Sequence, residues 1–326
     1  MKFQLFDAHS DIFENVHEKR ARGLTDILDT YHAANWEAGG CVGGFCPIWI
    51  DPSCTVYPIP YEEQAKQILA HMDEELHATT RAVMVTSHAA YLAAVEQGLH
   101  AIFTGTEGLC FLRGDYGKLD ALYDHGMREF SLTWNESNEF AGGAGDIDGP
   151  GLSDAGKQCV RRIHSLGAVL DLAHANRASY YDALRLTDGP FMVSHSNAGH
   201  FCSHPRTLTD EQIRRVAEYR GVIGISGYPP FLSDDPAEWT VQKLCDHVEY
   251  VAGLAGIECV GLGFDLVDFL DDADSDNTIS DVTQGLENIS CTQTIAVELL
   301  RRGFQPADVE AVFHGNFLRL VKEVIG

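Results

Sequence analysis

The stretch "GKQCVRRIHSLGAVLDLAH", residues 156–174, contains the unit from which the fold can be read. Its first twelve residues carry apolar side chains at helical spacing and stop at Gly167, where a helix commonly ends. The next seven, "AVLDLAH", form a short apolar run that reads as a strand buried on both faces and finishing on a histidine. Similar strand-like runs occur at 3–9, 39–50, 100–107, 128–134, 190–196, 221–228 and 259–265, making eight in all. Helical periodicity fills stretches such as "DEQIRRVAEYRG" and "TVQKLCDHVEYVAGLAG", and two more helices are expected near 285–302 and 306–325.

Eight apolar strands alternating with helices predict a parallel sheet covered on its outside, closed as a (β/α)8 TIM barrel. An open doubly wound sheet is the alternative. No linker or low-complexity tract divides residues 1–326, so a single barrel domain is expected, with segment 51–80 as an insertion.

Composition narrows the function. With 23 basic against 48 acidic residues the formal net charge is −25, which opposes general electrostatic binding to nucleic acid or anionic membrane. No apolar run is long enough to span a bilayer, and the charged and polar residues at 7–11 break any signal-peptide core. Nine scattered cysteines without a C-x-x-C pair point to reduced thiols in a cytoplasmic protein.

In such a barrel the chemistry sits at the C-terminal ends of the strands. In "FDAHSDIF" (6–13), His9 and Asp11 follow the first strand and are expected to share one face. Glu107 ends the third, Trp134 and Asn135 the fourth, His174 the fifth, His195 the sixth, Tyr228 the seventh and Asp265 the eighth. Three histidines and three carboxylates at one mouth exceed the needs of one metal ion. Two divalent ions sharing a bridging carboxylate are the natural reading, with His9 and Asp11 on one ion and His174 and His195 on the other. Glu107 bridges and Asp265 handles protons.

The ordered set "DAHSD" (7–11), "GTEG" (105–108), "DLAH" (171–174), "VSHSNA" (193–198), "GLGFD" (261–265) and "GNFLRLVKEV" (315–324) resembles the membrane, or renal, dipeptidase family, peptidase family M19, of the amidohydrolase superfamily. The resemblance implies a binuclear zinc dipeptidase, with His9, Asp11, Glu107, His174 and His195 as ligands. It implies that Asp265 manages the proton of a metal-bridging hydroxide and that Arg206 holds the substrate's carboxylate, by two-pronged contact. Dipeptides ending in a D-residue and a homodimer are further implications.

One position departs from the family, which commonly has a histidine in an "LTH"-like stretch where this chain has Trp134 in "SLTWNESN". Tryptophan offers one N–H and cannot titrate or ligate a metal. Asn135 is a candidate donor in its place and Tyr228 a candidate pocket wall. Two alternatives follow: a metal hydrolase of a small non-peptide amide or lactone, and a non-catalytic metal-binding barrel. The acidic stretch 271–283 lacks the glycine and glutamate of a calcium loop and reads as solvated. Glycine-rich 142–151 lacks a phosphate-binding context and reads as a mobile loop.

Overall fold

In the computed structural model, which describes residues 2–50, 59–270 and 282–326, every strand pairing is parallel. The strands are β1 (Leu5–Asp7), β2 (Cys41–Trp49), β3 (Ala82–Met84), β4 (His100–Glu107), β5 (Glu129–Ser131), β6 (Val169–Asp171), β7 (Met192–Ser196), β8 (Val222–Ile225) and β9 (Val260–Leu262). Their order, β2-β1-β9-β8-β7-β6-β5-β4-β3, is closed by a seven-residue pairing from Gly43↔Ala101 to Trp49↔Glu107 between β2 and β4. That pairing makes an eight-stranded ring and overturns the open sheet. β3 is the strand that periodicity missed. It flanks only the start of β4, Ala82 against His100 through Met84 against Ile102, while β5 flanks β4 further along at Gly105 and Thr106. Three residues are too few to show an alternation.

Side chains alternate across each strand, and the packing separates accordingly. Ile102, Leu170 and Ile223 join the core between sheet and helices, while their neighbours Ala101, Phe103, Val169 and Val222 join a second cluster with Phe6, Phe45 and Met192. This second cluster fills the barrel interior. Tyr91, from helix His88–Glu96, and Phe317, from helix Asn316–Val324, complete it, with Phe6 stacked on Phe317 at a centroid distance of 5.6 Å. Glycines make room where strands crowd: a Cβ at Gly224 or Gly263 would lie 1.8 Å from the carbonyl oxygen of Ser194.

The helix expected over 156–167 spans Asp154–Leu166, capped by the Ser153 hydroxyl, which accepts from the Gly156 N–H, and closed by Gly167 at φ 70°. The helix at Asp210–Glu218 starts with a full capping box between Thr209 and Gln212. At the C-terminus, helices Gln293–Arg301 and Pro306–Glu310 precede Asn316–Val324.

The expected strands are too long at their functional ends. β1 stops at Asp7 rather than residue 9, β5 at Ser131, β6 at Asp171 and β9 at Leu262. The residues expected on those strand tips therefore lie on loops two to four residues beyond. In the insertion, Tyr61–Ala78 is a helix, and residues 51–58 lie outside the described residues. So does most of the acidic stretch: only Val282 and Thr283 are described, the latter donating to the Gly227 carbonyl at 2.7 Å.

Candidate metal centre

β4 points Phe103 and Glu107 to the same side, so the strand that packs the barrel's aromatic interior also lifts a carboxylate to its mouth. Glu107 Oε1 lies 2.7 Å from His174 Nε2 and 3.6 Å from each of His9 Nε2 and His195 Nε2. His174 and His195 bring their Nε2 atoms within 2.9 Å of each other. Asp11 Oδ1 is 3.3 Å from His9 Nε2, and the ligand-type atoms of His9, Asp11 and Asp265 lie within 4.8 Å of one another, as do those of His9, Glu107 and His195. All six predicted residues thus form one connected cluster.

Asp11 occupies the N-cap position of helix Ile12–Ala21 yet makes no side-chain cap bond, because its carboxylate is turned to His9. His174 and Asp265 hold the left-handed backbone conformation, φ 64° and 55°. Such strain costs roughly 1–3 kcal/mol per residue and persists where surrounding structure imposes it. The Asp265 N–H donates to the His9 carbonyl at 3.3 Å, tying the last loop to the first.

Asn135, together with Ser194 and Asp171, which the sequence did not single out, orients the imidazoles. Asn135 Oδ1 accepts from His174 Nδ1 at 3.0 Å, which leaves Nε2 unprotonated and facing the centre. His195 Nδ1 meets Ser194 Oγ at 2.8 Å, and that hydroxyl donates to Asp171 at 2.5 Å. Asp171 also accepts from the Ala173 and Ser194 amides, so it spans two neighbouring strands. The glycine-rich segment read as a mobile loop is hydrogen-bonded onto the same residues: the Ala144 N–H donates to the His174 carbonyl at 2.7 Å and the Gly145 N–H to the Asn135 carbonyl at 2.8 Å. A Cβ at Gly143 would sit 2.4 Å from the Asn135 carbonyl oxygen, so glycine here serves close approach. Asn135, expected at the substrate, faces His174 in this structure.

The electrostatics suit cations. Burial pushes the Glu107 carboxyl well up, with Asp11 and Asp265 adding to it, and burial likewise raises Asp265 to about 6. Burial lowers His174 and His195 well below the ordinary imidazole value, keeping both neutral and able to donate lone pairs. On His9 burial opposes charge, but the carboxylates of Asp11, Glu107 and Asp265 prevail and hold its pKa well up. His9 Nε2 and Asp11 Oδ1 are buried without a hydrogen-bond partner among the described residues. Crowded carboxylates, neutral imidazoles and orphaned ligand atoms form a donor set that fits divalent metal ions.

Arg206 is no solvated loop residue: it is 6% exposed, and its Nε and Nη1 have no partner among the described residues. Nη2 donates to the His195 carbonyl at 3.3 Å, and the guanidinium lies 5.3 Å above the Phe231 ring. It lines a cavity of about 620 Å³ shared with His174. Tyr228 packs edge-on against Phe231 at 4.9 Å and lines a smaller cavity with Asp265. Trp134 sits 6.0 Å from the His174 ring and 5.1 Å from Trp49.

A family model described as membrane dipeptidase, peptidase family M19, matches residues 1–325. The chain belongs to this family. Among its relatives, an uncharacterized dipeptidase of Schizosaccharomyces pombe is 33% identical over 223 residues, 67% of this chain and 52% of that protein. Dipeptidase aclJ of Aspergillus oryzae is 32% identical over 227 residues, 68% of this chain and 50% of its own length. The chain thus spans about half the length of these curated relatives. The barrel superposes on a Rhodobacter sphaeroides metallopeptidase bound to a phosphinate mimic of L-Ala-D-Ala with TM-score 0.86, 21% identity and coverage of 99% and 100% of the two chains. An M19 metallopeptidase, dipeptidase AC, gives TM-score 0.87 at 22% identity over 100% of both chains. At these identities the likeness is one of fold. Among the described residues, no helix is long and apolar enough to cross a membrane.

Proposed function

We propose that this M19 chain is a binuclear zinc dipeptidase acting on small dipeptides, those with a C-terminal D-residue included. The observation that carries the reading is Glu107 Oε1 facing three imidazole Nε2 atoms, with Asp11 and Asp265 on the flank. His9, Asp11 and Glu107 would hold one ion, and Glu107, His174 and His195 the other. When bound, such ions supply an acidified water and positive charge against a developing oxyanion.

The remaining work falls to the chain itself. Arg206 has two buried donor nitrogens free for the substrate's terminal carboxylate, and fixing that end sets the scissile bond over the centre. Asp265, raised to about 6 by burial, is tuned to accept a proton at its carboxylate and return it to the departing amine near neutral pH. Trp134 cannot take that role, so proton traffic rests on Asp265. Asn135 and the Asp171–Ser194 pair keep His174 and His195 in one orientation.

The test combines metal content per chain with turnover of a dipeptide panel that includes L-Ala-D-Ala, before and after chelation and zinc restoration. Two metals per chain and chelator-sensitive hydrolysis are expected. Asp265→Asn should keep the metal and lower turnover by about 10²–10⁴-fold, the range of a lost general acid–base. Two metals with hydrolysis only of non-peptide amides or lactones would replace the substrate class, a reading favoured by Trp134 at the family's histidine position. Loss of neither metal nor activity on Asp265→Asn would sink the proton role.

A further inference from the structure

On the side of the centre formed by β2, β4 and β5 a cavity of about 470 Å³ opens beside Glu107. Ile50, Tyr61 and Trp134 line it together with Arg113, Glu136 and Glu139. The Arg113 guanidinium stacks over the Tyr61 ring at 4.3 Å. Trp134 packs against Trp49 at 5.1 Å, which fixes the indole as a wall. Gly108, at φ 86°, lets the loop after β5 come close, since a Cβ there would lie 2.9 Å from the Trp134 backbone nitrogen. None of this architecture is used in the chemistry described above.

Arg206 stands in the segment following β7, which ring order places across from β2, with β1, β9 and β8 between them. A dipeptide whose carboxylate is held there and whose scissile bond lies over Glu107 must send its N-terminal residue toward the β2/β4/β5 side. We propose that the Ile50–Tyr61–Trp134 cavity is the specificity pocket for that residue and selects a large aromatic side chain; the inference rests on the dipeptidase reading. Flat indole and phenol faces match an aromatic ring, which buries more of them than a methyl group can. The charges argue against an acidic side chain: Arg113 is already met by Glu62 at 3.5 Å and Glu139 at 3.9 Å, so its cation is compensated. A histidine in place of Trp134 would leave this wall polar, which makes the departure from the family a change of specificity.

The experiment compares Phe-Ala, Ala-Phe and Ala-Ala as substrates of the metal-loaded wild type, Trp134→Ala and Tyr61→Ala. In parallel, calorimetry measures binding of the phosphinate mimics of Phe-Ala and Ala-Ala. The pocket requires kcat/KM for Phe-Ala to exceed that for Ala-Ala by at least about tenfold, with the ratio falling toward one in both variants at unchanged metal content. A preference that follows the C-terminal residue instead, or a ratio unaltered by either variant, overturns it. The two readings fail separately. A Phe-type mimic bound at least about tenfold tighter, with no dipeptide hydrolysed, keeps the pocket and removes the dipeptidase assignment. Equal Kd values alongside hydrolysis remove the pocket and keep the assignment.

Discussion

The two ends of the barrel interior are built by the same strands to opposite rules. At the lower end Phe6, Phe45, Phe103, Val169, Met192 and Val222 pack with Tyr91 and Phe317 into a dry plug in which every side chain gains by burial. A few residues up the same chains, His9, Glu107, Asp171, Ser194 and His195 put charge and lone pairs into an equally buried space. There burial works against the groups it holds, as the raised pKa values of Glu107 and Asp265 record. The lower half supplies the rigidity on which the upper half's strained, mutually repelling side chains depend. Stability and function are separated by height along each strand.

Breaking the upper half should abolish chemistry without unfolding the chain. Glu107→Gln is expected to lose metal and lower dipeptide turnover by about 10³-fold or more, the scale of a lost transition-state stabiliser, while the metal-free protein becomes no less stable. Metal analysis and thermal melts of the same sample check both halves of that statement. Phe103→Ala tests the converse. Removing a fully buried ring should cost about 3–5 kcal/mol of folding stability in denaturant titration, with metal content per folded chain unchanged.

Asn135→Ala sharpens the comparison, since it alters the orientation of His174 and leaves that imidazole itself in place. Without the acceptor at His174 Nδ1, metal affinity should fall about 10–100-fold in a chelator competition, at nearly constant melting temperature. A pH-dependent effect is expected at the border between the halves. Glu129, 2% exposed with Oε2 lacking a partner among the described residues, is held well above the ordinary carboxylate pKa by burial, and then by Asp171. The folded state keeps that proton while the unfolded chain releases it, so the group costs stability increasingly as pH rises through the carboxylate range. Glu129→Gln in metal-free protein should therefore gain on wild type by up to about 1.4 kcal/mol per pH unit above that range. A gain that does not change between pH 5 and pH 8 would show that the carboxyl is already ionised.

Much of this was legible in the chain. Eight of the nine strands among the described residues were readable because an apolar run bounded by helical periodicity is a local signal. The residues that gather at the barrel mouth were readable because histidine and acidic residues at the ends of such runs have few other reasons to recur together. Strand lengths were not, because β1, β6 and β9 end where loops cross from one strand to the next, as when the Asp7 carboxylate accepts from the Phe264 amide at 3.0 Å. Asn135 stood in the sequence as a donor toward substrate. In the fold the glycine segment 142–145 packs on its backbone carbonyl and its side-chain oxygen faces His174. Asp171 and Ser194 were inside quoted motifs yet carried no separate signal, since their pairing links strands 23 residues apart in sequence.

By itself the sequence determined the fold class, the family and the identity of the six groups at the barrel mouth, because periodicity and residue chemistry are properties of short segments. The tertiary structure decided that one oxygen of Glu107 faces three imidazoles, that Arg206 is buried with donors to spare, and that Trp134 walls a cavity. Those facts arise from ring closure between β2 and β4 and from the loops it brings together. Burial and electrostatic coupling depend on neighbours distant in the chain, and no local pattern encodes them.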